Sequence, residues 1–163
     1  KKILKRFLNM IKLNKKINLK KQNIKNSIYM PRLDTATHGF INWEWNGHDI
    51  YNFIRAFDEP YMGASTFYKN KKIYLSNVKI LEIKKTFHPF QSGLIVRKDK
   101  KSIYIAMRNG LLKISTIKNE NFKKYNISYF NLGERLHTPS NILDKAKTGK
   151  SSHTGKGIKI TYG

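Results

Sequence analysis

The sequence has no cysteine among its 163 residues, which excludes disulfide bonds, thiolate catalysis and cysteine-ligated zinc. It also lacks an apolar run long enough for a transmembrane helix. The basic start, residues 1–8, is not followed by the apolar core of a signal peptide, because Lys12, Lys15 and Lys16 interrupt it. We therefore expect a cytoplasmic protein for which a membrane is not a favoured partner. The first residue is Lys1 rather than Met, so we expect the chain to be part of a longer protein.

Acidic residues are scarce. The chain has 10 Asp and Glu against 33 Lys and Arg, a formal net charge of +23. Such an excess predicts attraction to polyanions, with nucleic acid first, anionic membrane second and acidic protein third. The chain is also rich in Asn, Ile and Lys, a bias that AT-rich coding produces without selection for binding. Both explanations of the charge stay open at this point.

Residues 1–33 form a basic arm that contains no acid before Asp34. Apolar residues in it follow helical spacing, which predicts a short amphipathic helix: Ile3, Leu4, Phe7, Leu8 and Ile11. One interpretation is an arm that binds nucleic acid or a membrane surface. The other is an interdomain linker helix whose apolar stripe packs on a neighbouring domain.

The clearest helix in the sequence begins after Asn46, which is placed to act as its N-cap, with Asp49 three residues later. Its apolar face consists of Ile50, Phe53, Ile54 and Phe57. Pro60 ends the helix, and Gly63 permits a tight turn into the strands that follow.

From residue 64 onward the pattern favours short strands with tight turns. Six strands are predicted, at residues 64–68, 72–75, 78–84, 94–96, 103–107 and 111–117. Hairpin turns are predicted at residues 69–71, 98–101 and 109–110. The predicted fold is mainly β with flanking helices (α+β): a small antiparallel open barrel, OB-like, preceded by the basic linker helix.

The C-terminal part begins with a predicted helix over residues 140–147, with Thr138 as N-cap and Pro139 at the first helical position. Residues 148–163 are rich in Gly, Ser and Lys, so we expect a flexible basic tail. The predicted organisation is a basic arm at 1–33, a barrel domain at 34–147 and the tail at 148–163.

No convincing catalytic set or metal site is present in the sequence. The five histidines are scattered without metal-ligand spacing. The adjacent acids Asp58 and Glu59 do not face one substrate merely by being neighbours. We therefore predict no catalytic residue, no metal and no cofactor within this chain.

The positive signal is a set of basic residues, several of them interleaved with tyrosines. On strands and hairpin tips such residues could follow phosphates while aromatics stack on bases. The alternative is that the aromatics are core and the lysines protect strand edges. The nucleic-acid-binding candidates are Lys12, Lys15, Lys16, Lys20, Lys21, Lys69, Lys71, Lys72, Arg97, Lys98 and Arg108.

The segment 41–64 resembles the start of the C-terminal domain of formyltransferases, which include methionyl-tRNA formyltransferases and sugar N-formyltransferases. The residues that match this pattern are interpreted as architectural: Trp43, Ile50, Ile54, Arg55, Ala56, Phe57, Pro60, Gly63 and Ala64. Tyr61 and Met62 depart from the family's second proline. Residues 133–139 also look like the tail of some members, so the resemblance runs from about residue 31 to 147.

The resemblance implies a separate N-terminal catalytic domain that binds 10-formyltetrahydrofolate and carries the catalytic Asn, His and Asp beside an S-L-L-P loop. None of those motifs occurs in this sequence, so the chain is expected to be inactive alone. It would be the substrate-positioning module of an enzyme that formylates an amine, either methionyl-tRNA or an amino sugar. Its expected partners are the catalytic formyltransferase domain and tRNA. The alternative is a free-standing, non-enzymatic, OB-like nucleic-acid-binding module.

Overall fold

The computed structural model describes residues 2–17, 20–81 and 86–162. The chain forms two compact units, Lys1–Met30 and Pro31–Gly163. The first unit contains the helix α1 (Lys2–Lys12), which confirms the predicted amphipathic helix. Within this unit the large apolar residues of α1 are solvent-exposed, as is Ile24 in the short 3₁₀ turn Ile24–Asn26.

The second unit is built on a five-stranded antiparallel sheet with the order β1-β2-β5-β4-β3. Strands β2 to β5 form a Greek key, because β3, β4 and β5 follow one another and β5 returns to pair with β2. The strands are β1 (Ala64–Tyr68), β2 (Lys71–Leu81), β3 (Ile95–Lys98), β4 (Ile103–Met107) and β5 (Gly110–Lys118). The prediction of a mainly β protein with helices is confirmed.

One long strand replaces two predicted short ones, because β2 continues through Asn77. Asn77 adopts a left-handed conformation with φ of 52°, which asparagine tolerates better than most residues. Its N–H donates to Asp58 Oδ2 at 3.0 Å, and the pairing with β5 keeps its register on both sides. The prediction of six strands was therefore wrong, because this sheet has five. The predicted extension over residues 82–84 lies outside the described residues.

Strand pairing does not close this sheet into a continuous barrel within the described residues. A short segment, residues 133–137, instead connects the two edges by isolated antiparallel bridges, Leu94 with Arg135 beside β3 and Phe67 with His137 beside β1. We call it the bridging segment. The OB-like barrel of the prediction is thus confirmed only in part, because the described residues form an open sheet whose edges are linked through single bridges.

Three helices accompany the sheet: α2 (Thr35–His38), α3 (Gly47–Ala56) and α4 (Ser140–Thr148). Helix α3 has its predicted cap, since Asn46 Oδ1 accepts from the Asp49 N–H at 2.9 Å. The prediction that Thr138 caps α4 was wrong. Pro139 occupies the N-cap position, and no side chain donates or accepts a capping hydrogen bond there. The Thr138 hydroxyl is buried and lies 3.1 Å from that of Thr66, so it serves the core instead.

The C-terminal residues are not the predicted flexible tail but a β-hairpin, β6 (Gly149–Thr154) paired with β7 (Gly157–Tyr162). The turn between them uses Gly157 at φ of 118°, a value that favours glycine. Gly149 at its base accepts a hydrogen bond from His38 Nε2 at 2.8 Å. The hairpin is therefore attached to the α2 region by a specific contact that the Gly- and Lys-rich composition did not reveal.

The core lies between α3 and the sheet, where α3 packs mainly on β2 and β5. Ile50 and Ile54 are fully buried there, and Phe57 is nearly so, which confirms the predicted apolar face. Burial of each such side chain contributes about 1.5–3 kcal/mol. Arg55 and Ala56, two of the family-matching residues, lie on the other side of α3 and are exposed, so they do not contribute to the core.

Candidate nucleic-acid interface

The turns of two hairpins lie at the same end of the sheet. Strands β1, β5 and β3 run parallel to one another in this antiparallel arrangement, so their C-terminal ends coincide. The β1–β2 turn and the β3–β4 turn both follow those ends. Five lysines lie in or beside these two turns, and we call them the basic end: Lys69, Lys71, Lys98, Lys100 and Lys101.

Lys69 is held by an acid rather than left free. Its Nζ lies 2.8 Å from Glu134 Oε1, and the Tyr68 hydroxyl donates to the other oxygen of the same carboxylate. The Asn131 N–H donates in turn to the Tyr68 hydroxyl at 3.2 Å. The hydrogen bonds from Lys69 and then Tyr68 lower the pKa of Glu134 to about 2. This cluster ties the β1–β2 turn to the bridging segment and neutralises part of the basic end.

The same cluster shifts its two other titrating groups. The hydrogen bond to Glu134 raises the pKa of Lys69. Burial, followed by the bond to Glu134, raises the pKa of Tyr68. All three shifts favour the same arrangement at neutral pH, namely a charged lysine, a neutral phenol and an ionised carboxylate.

Replacing Glu134 by glutamine is expected to remove one source of acid-dependent stability. Glu134 titrates at about 2 in the folded chain against 4.5 ordinarily, so its contribution is full above about pH 4.5 and is lost as pH falls toward 2. Thermal unfolding of both proteins between pH 2.5 and 7 measures it. The difference in Tm should be largest near neutrality and shrink in acid.

Glu120→Gln is the matched control, because it removes the same charge from an exposed position. It should change Tm little, and by a similar amount at every pH. If Glu134→Gln showed the same flat difference, the ion pair with Lys69 would not stabilise the fold.

The other predicted cations of the sheet contact aromatic rings. Lys72 Nζ lies 4.7 Å from the Phe40 ring centre and 5.2 Å from that of Tyr74. The guanidinium carbon of Arg97 lies 3.8 Å from the Tyr104 ring centre. Tyr74 and Tyr104 are themselves at most 7% exposed. These two tyrosines are therefore buried. Cationic side chains lie over their rings, so the rings do not face solvent where a base could stack.

The turn that follows Lys98 also carries exposed positive charge. Lys98 Nζ donates to the Phe130 carbonyl at 2.9 Å. Asp99 accepts from the Tyr104 hydroxyl and from the Lys101 N–H, both at 2.7 Å, and the tyrosine bond is the main cause of its lowered pKa. These bonds fix the turn backbone while the side chains of Lys100 and Lys101 are exposed.

The remaining candidates are not part of this group. Arg108 lies in the β4–β5 turn, at the opposite end of the sheet. The five candidates of the arm belong to the first compact unit, where they are exposed: Lys12, Lys15, Lys16, Lys20 and Lys21. Sequence reasoning missed Glu134 as a partner of Lys69, since 65 positions separate them and no local motif pairs them.

The described residues contain no cluster of His, Asp or Glu that could hold a metal ion. Within the same ranges, no helix combines the length and the apolar character needed to cross a bilayer.

Comparison with known proteins assigns the class. A family model described as the formyl transferase C-terminal domain matches residues 35–135. That range is more than half of the chain, so the chain belongs to the formyl transferase C-terminal domain family. The resemblance seen in residues 41–64 is thereby confirmed.

Its relatives are longer proteins. Methionyl-tRNA formyltransferase of Lactococcus lactis subsp. cremoris is 32% identical over 108 residues, which cover 64% of this chain and 33% of the relative. The Clostridium tetani enzyme of the same name is 28% identical over 120 residues, 74% of this chain and 37% of that protein. The chain thus spans about a third of the length of these curated relatives.

The fold itself is similar to a solved structure. HypX from Aquifex aeolicus, crystallised in complex with tetrahydrofolic acid, aligns with 98% of this chain and 28% of its own at a TM-score of 0.53 and 13% identity. At that identity the similarity concerns the fold alone.

Proposed function

We propose that this chain is the substrate-positioning C-terminal module of a formyltransferase that transfers a formyl group from 10-formyltetrahydrofolate to the amine of methionyl-tRNA. Family membership and the methionyl-tRNA formyltransferases among its relatives support this proposal. The net charge of +23 favours tRNA over an amino sugar as the acceptor. A catalytic domain that binds the folate is the expected partner.

The basic end is the observation that carries the tRNA part of the proposal. Two hairpin turns place Lys71, Lys100 and Lys101, which are exposed, at the same end of the sheet. The neighbouring tyrosines Tyr68 and Tyr104 are buried. Contacts made here are therefore with phosphates rather than with bases, and such contacts position RNA without reading its sequence.

Charge reversal at the basic end is expected to weaken tRNA binding. Lys71→Glu with Lys100→Glu removes two phosphate partners, so the slope of log K against log salt should become shallower by roughly 2. Affinity at low salt should fall by about tenfold or more, since each lost contact also removes counterion release. Fluorescence anisotropy of labelled tRNA between 50 and 200 mM salt, on the order of the range where such contacts are lost, measures both quantities.

The matched control is Lys79→Glu with Arg108→Glu, which changes the net charge equally. Lys79 is exposed on β2, and Arg108 lies at the opposite end of the sheet. This variant should keep the wild-type slope. Equal losses in both variants would mean that net charge alone attracts tRNA, and binding that ignores salt would contradict the proposal.

An activity assay tests whether the chain is inactive alone, and binding to other RNAs and to nucleotide sugars separates the functional interpretations. The chain alone, given 10-formyltetrahydrofolate and methionyl-tRNA, is expected to show no formylation, because it carries none of the catalytic motifs of the family. A free-standing nucleic-acid module would bind other structured RNAs as tightly as tRNA. Binding of a nucleotide sugar without tRNA binding would instead indicate an amino-sugar acceptor.

A further inference from the structure

A cleft of about 350 Å³ opens on the second unit between the extended residues 31–33 and the end of α4. We call it the apolar cleft. Its walls include Pro31, Leu33, Phe40, Trp45, Leu143 and Ala146. A volume of this size falls at the lower end of the ~300–1,000 Å³ typical of small-molecule sites, and it suits one nucleobase with its ribose.

Long-range hydrogen bonds fix the shape of this cleft. His38 Nδ1 accepts from the Asp34 N–H at 2.8 Å, and its Nε2 lies 2.8 Å from the Gly149 carbonyl oxygen. Ser151 Oγ donates to the Arg32 carbonyl. The start of the C-terminal hairpin is thus attached to residues that precede the hairpin itself by more than a hundred positions.

Close packing at Gly149 adds to this attachment. Gly149 is buried, and a Cβ there would lie 2.9 Å from Thr37 Cγ2. A side chain at this position would therefore crowd the contact between the hairpin and α2 at the base of the cleft. The cleft is therefore a built feature of the fold rather than a surface irregularity.

Most of the cleft lies outside the part of the chain that the family model matches. Of the twelve lining residues, only His38, Phe40 and Trp45 fall within residues 35–135. The other nine come from residues 31–33 and 143–151. The cleft is therefore formed mainly by residues that flank the matched range.

Charge on the rim decides what kind of molecule fits. Arg32, Lys147 and Lys150 line the opening above apolar and aromatic walls. The nearby acid Asp144 already pairs with Lys147 at 3.5 Å. A complementary ligand has a planar, weakly polar body for the walls and a negative charge for the rim. A nucleotide has both, because its base stacks on aromatic side chains and its phosphate attracts lysine and arginine.

We propose that the apolar cleft binds a single unpaired nucleotide of the RNA whose phosphates the basic end holds. This inference rests on the proposed function, since it gives that function a second, base-contacting site. It also supplies the stacking surface that the basic end lacks, because the tyrosines there are buried.

The two tryptophans of the chain provide the measurement. Trp45 lines the cleft and is half-buried, whereas Trp43 is only 6% exposed. Titration of the full chain with adenosine 5′-monophosphate should quench part of the fluorescence. Trp45→Phe should abolish the quenching while the emission of Trp43 persists. Adenosine and ribose 5-phosphate should each bind at least about fivefold more weakly, because each loses either the charge or the stacking contact.

Cleft variants extend the test to RNA. Ala146→Leu fills the cleft with a good helix former, and Lys150→Glu reverses a rim charge. Each variant should weaken the binding of a single-stranded hexanucleotide about fivefold or more. Each should leave the binding of a duplex of equal charge unchanged. Lys156→Glu, in the exposed hairpin turn, is the charge-matched control and should have no such selectivity. Far-UV circular dichroism verifies that each variant is folded.

The outcomes are distinguishable from those of the proposed function. If AMP causes no quenching, or if Lys150→Glu and Lys156→Glu weaken the hexanucleotide equally, the cleft does not bind a nucleotide. If phosphatidylserine vesicles displaced the hexanucleotide while AMP had no effect, the inference would be overturned in favour of a lipid ligand. If the cleft binds AMP but tRNA does not bind the chain, the proposed function fails and the nucleotide site stands.

Discussion

Trp43→Ala is expected to lower the free energy of unfolding by about 3–5 kcal/mol, the usual cost of removing a large aromatic side chain from a core. Trp43 is buried among the residues that α3 and the sheet share. Its Nε1 donates to Thr66 Oγ1 at 2.9 Å, and that hydroxyl lies 3.1 Å from Thr138 Oγ1. The side chain thus joins the segment before α3 to β1 and to the start of α4.

Trp43→Phe separates ring burial from this hydrogen bond. It retains most of the buried aromatic surface and loses the N–H donor, while Thr66 keeps its contact with Thr138. A cost of roughly 1–2 kcal/mol is expected, within the range for one lost buried hydrogen bond. Urea unfolding followed by circular dichroism measures both variants. An alanine variant no less stable than the phenylalanine variant would mean that the ring does not pack as described.

Gly93→Ala is the second substitution expected to have a large effect. Gly93 adopts φ of 85°, and a Cβ built on it would lie 2.4 Å from the Leu136 carbonyl oxygen. A left-handed conformation alone costs a non-glycine residue about 1–2 kcal/mol. The contact adds to this cost because its partner is backbone. Relief would require the bridging segment to move, which would break the bond from the Leu136 N–H to the Gly93 carbonyl at 2.9 Å.

Gly133→Ala is the control that the chain itself provides. Gly133 has a similar φ of 80°, but nothing lies within 4 Å of its built Cβ. This variant should lower the free energy of unfolding only by the conformational cost of about 1–2 kcal/mol. The difference between the two midpoints in urea therefore reports the clash. Similar midpoints would show that the bridging segment adapts to a methyl group at residue 93.

Local signals predicted the parts of this fold whose stabilising contacts are near in sequence. The cap of Asn46, the spacing of Ile50 and Ile54, and the stop at Pro60 all act within a few residues of α3. The β1–β2 turn was also predictable, because Asn70 readily takes the left-handed φ of 62° that it has there. The tight turn at Gly63 was predicted from local signals as well, and Gly63 is buried at φ of 102°.

Elements that depend on distant contacts could not be predicted in this way. The C-terminal hairpin has few large apolar residues, and its attachment requires His38, more than a hundred residues earlier. Thr138 looked like a cap because serine and threonine often are, yet its hydroxyl meets Thr66 in the core. The sequence pattern predicted that a strand ends before Asn77. In the structure Asp58 accepts the Asn77 N–H and the strand continues.

The same distinction applies to the candidate sites. Sequence alone indicated basic hairpin turns, but only the strand order shows that Lys71 and Lys100 share one end of the sheet while Arg108 lies at the other. The ion pair of Lys69 with Glu134 and the apolar cleft depend on contacts across the fold. No spacing rule could have found them.

The bridging segment also covers parts of both outer strands of the sheet. Both outer strands of a sheet offer unpaired N–H and C=O groups to which another chain can add. Here one short segment occupies parts of both, through paired bonds of 3.0 Å between Phe67 and His137 and through the bond from the Ile95 N–H to Glu134 at 2.8 Å. A single proteolytic cut or displacement at residues 133–137 would therefore uncover two aggregation-prone edges at once.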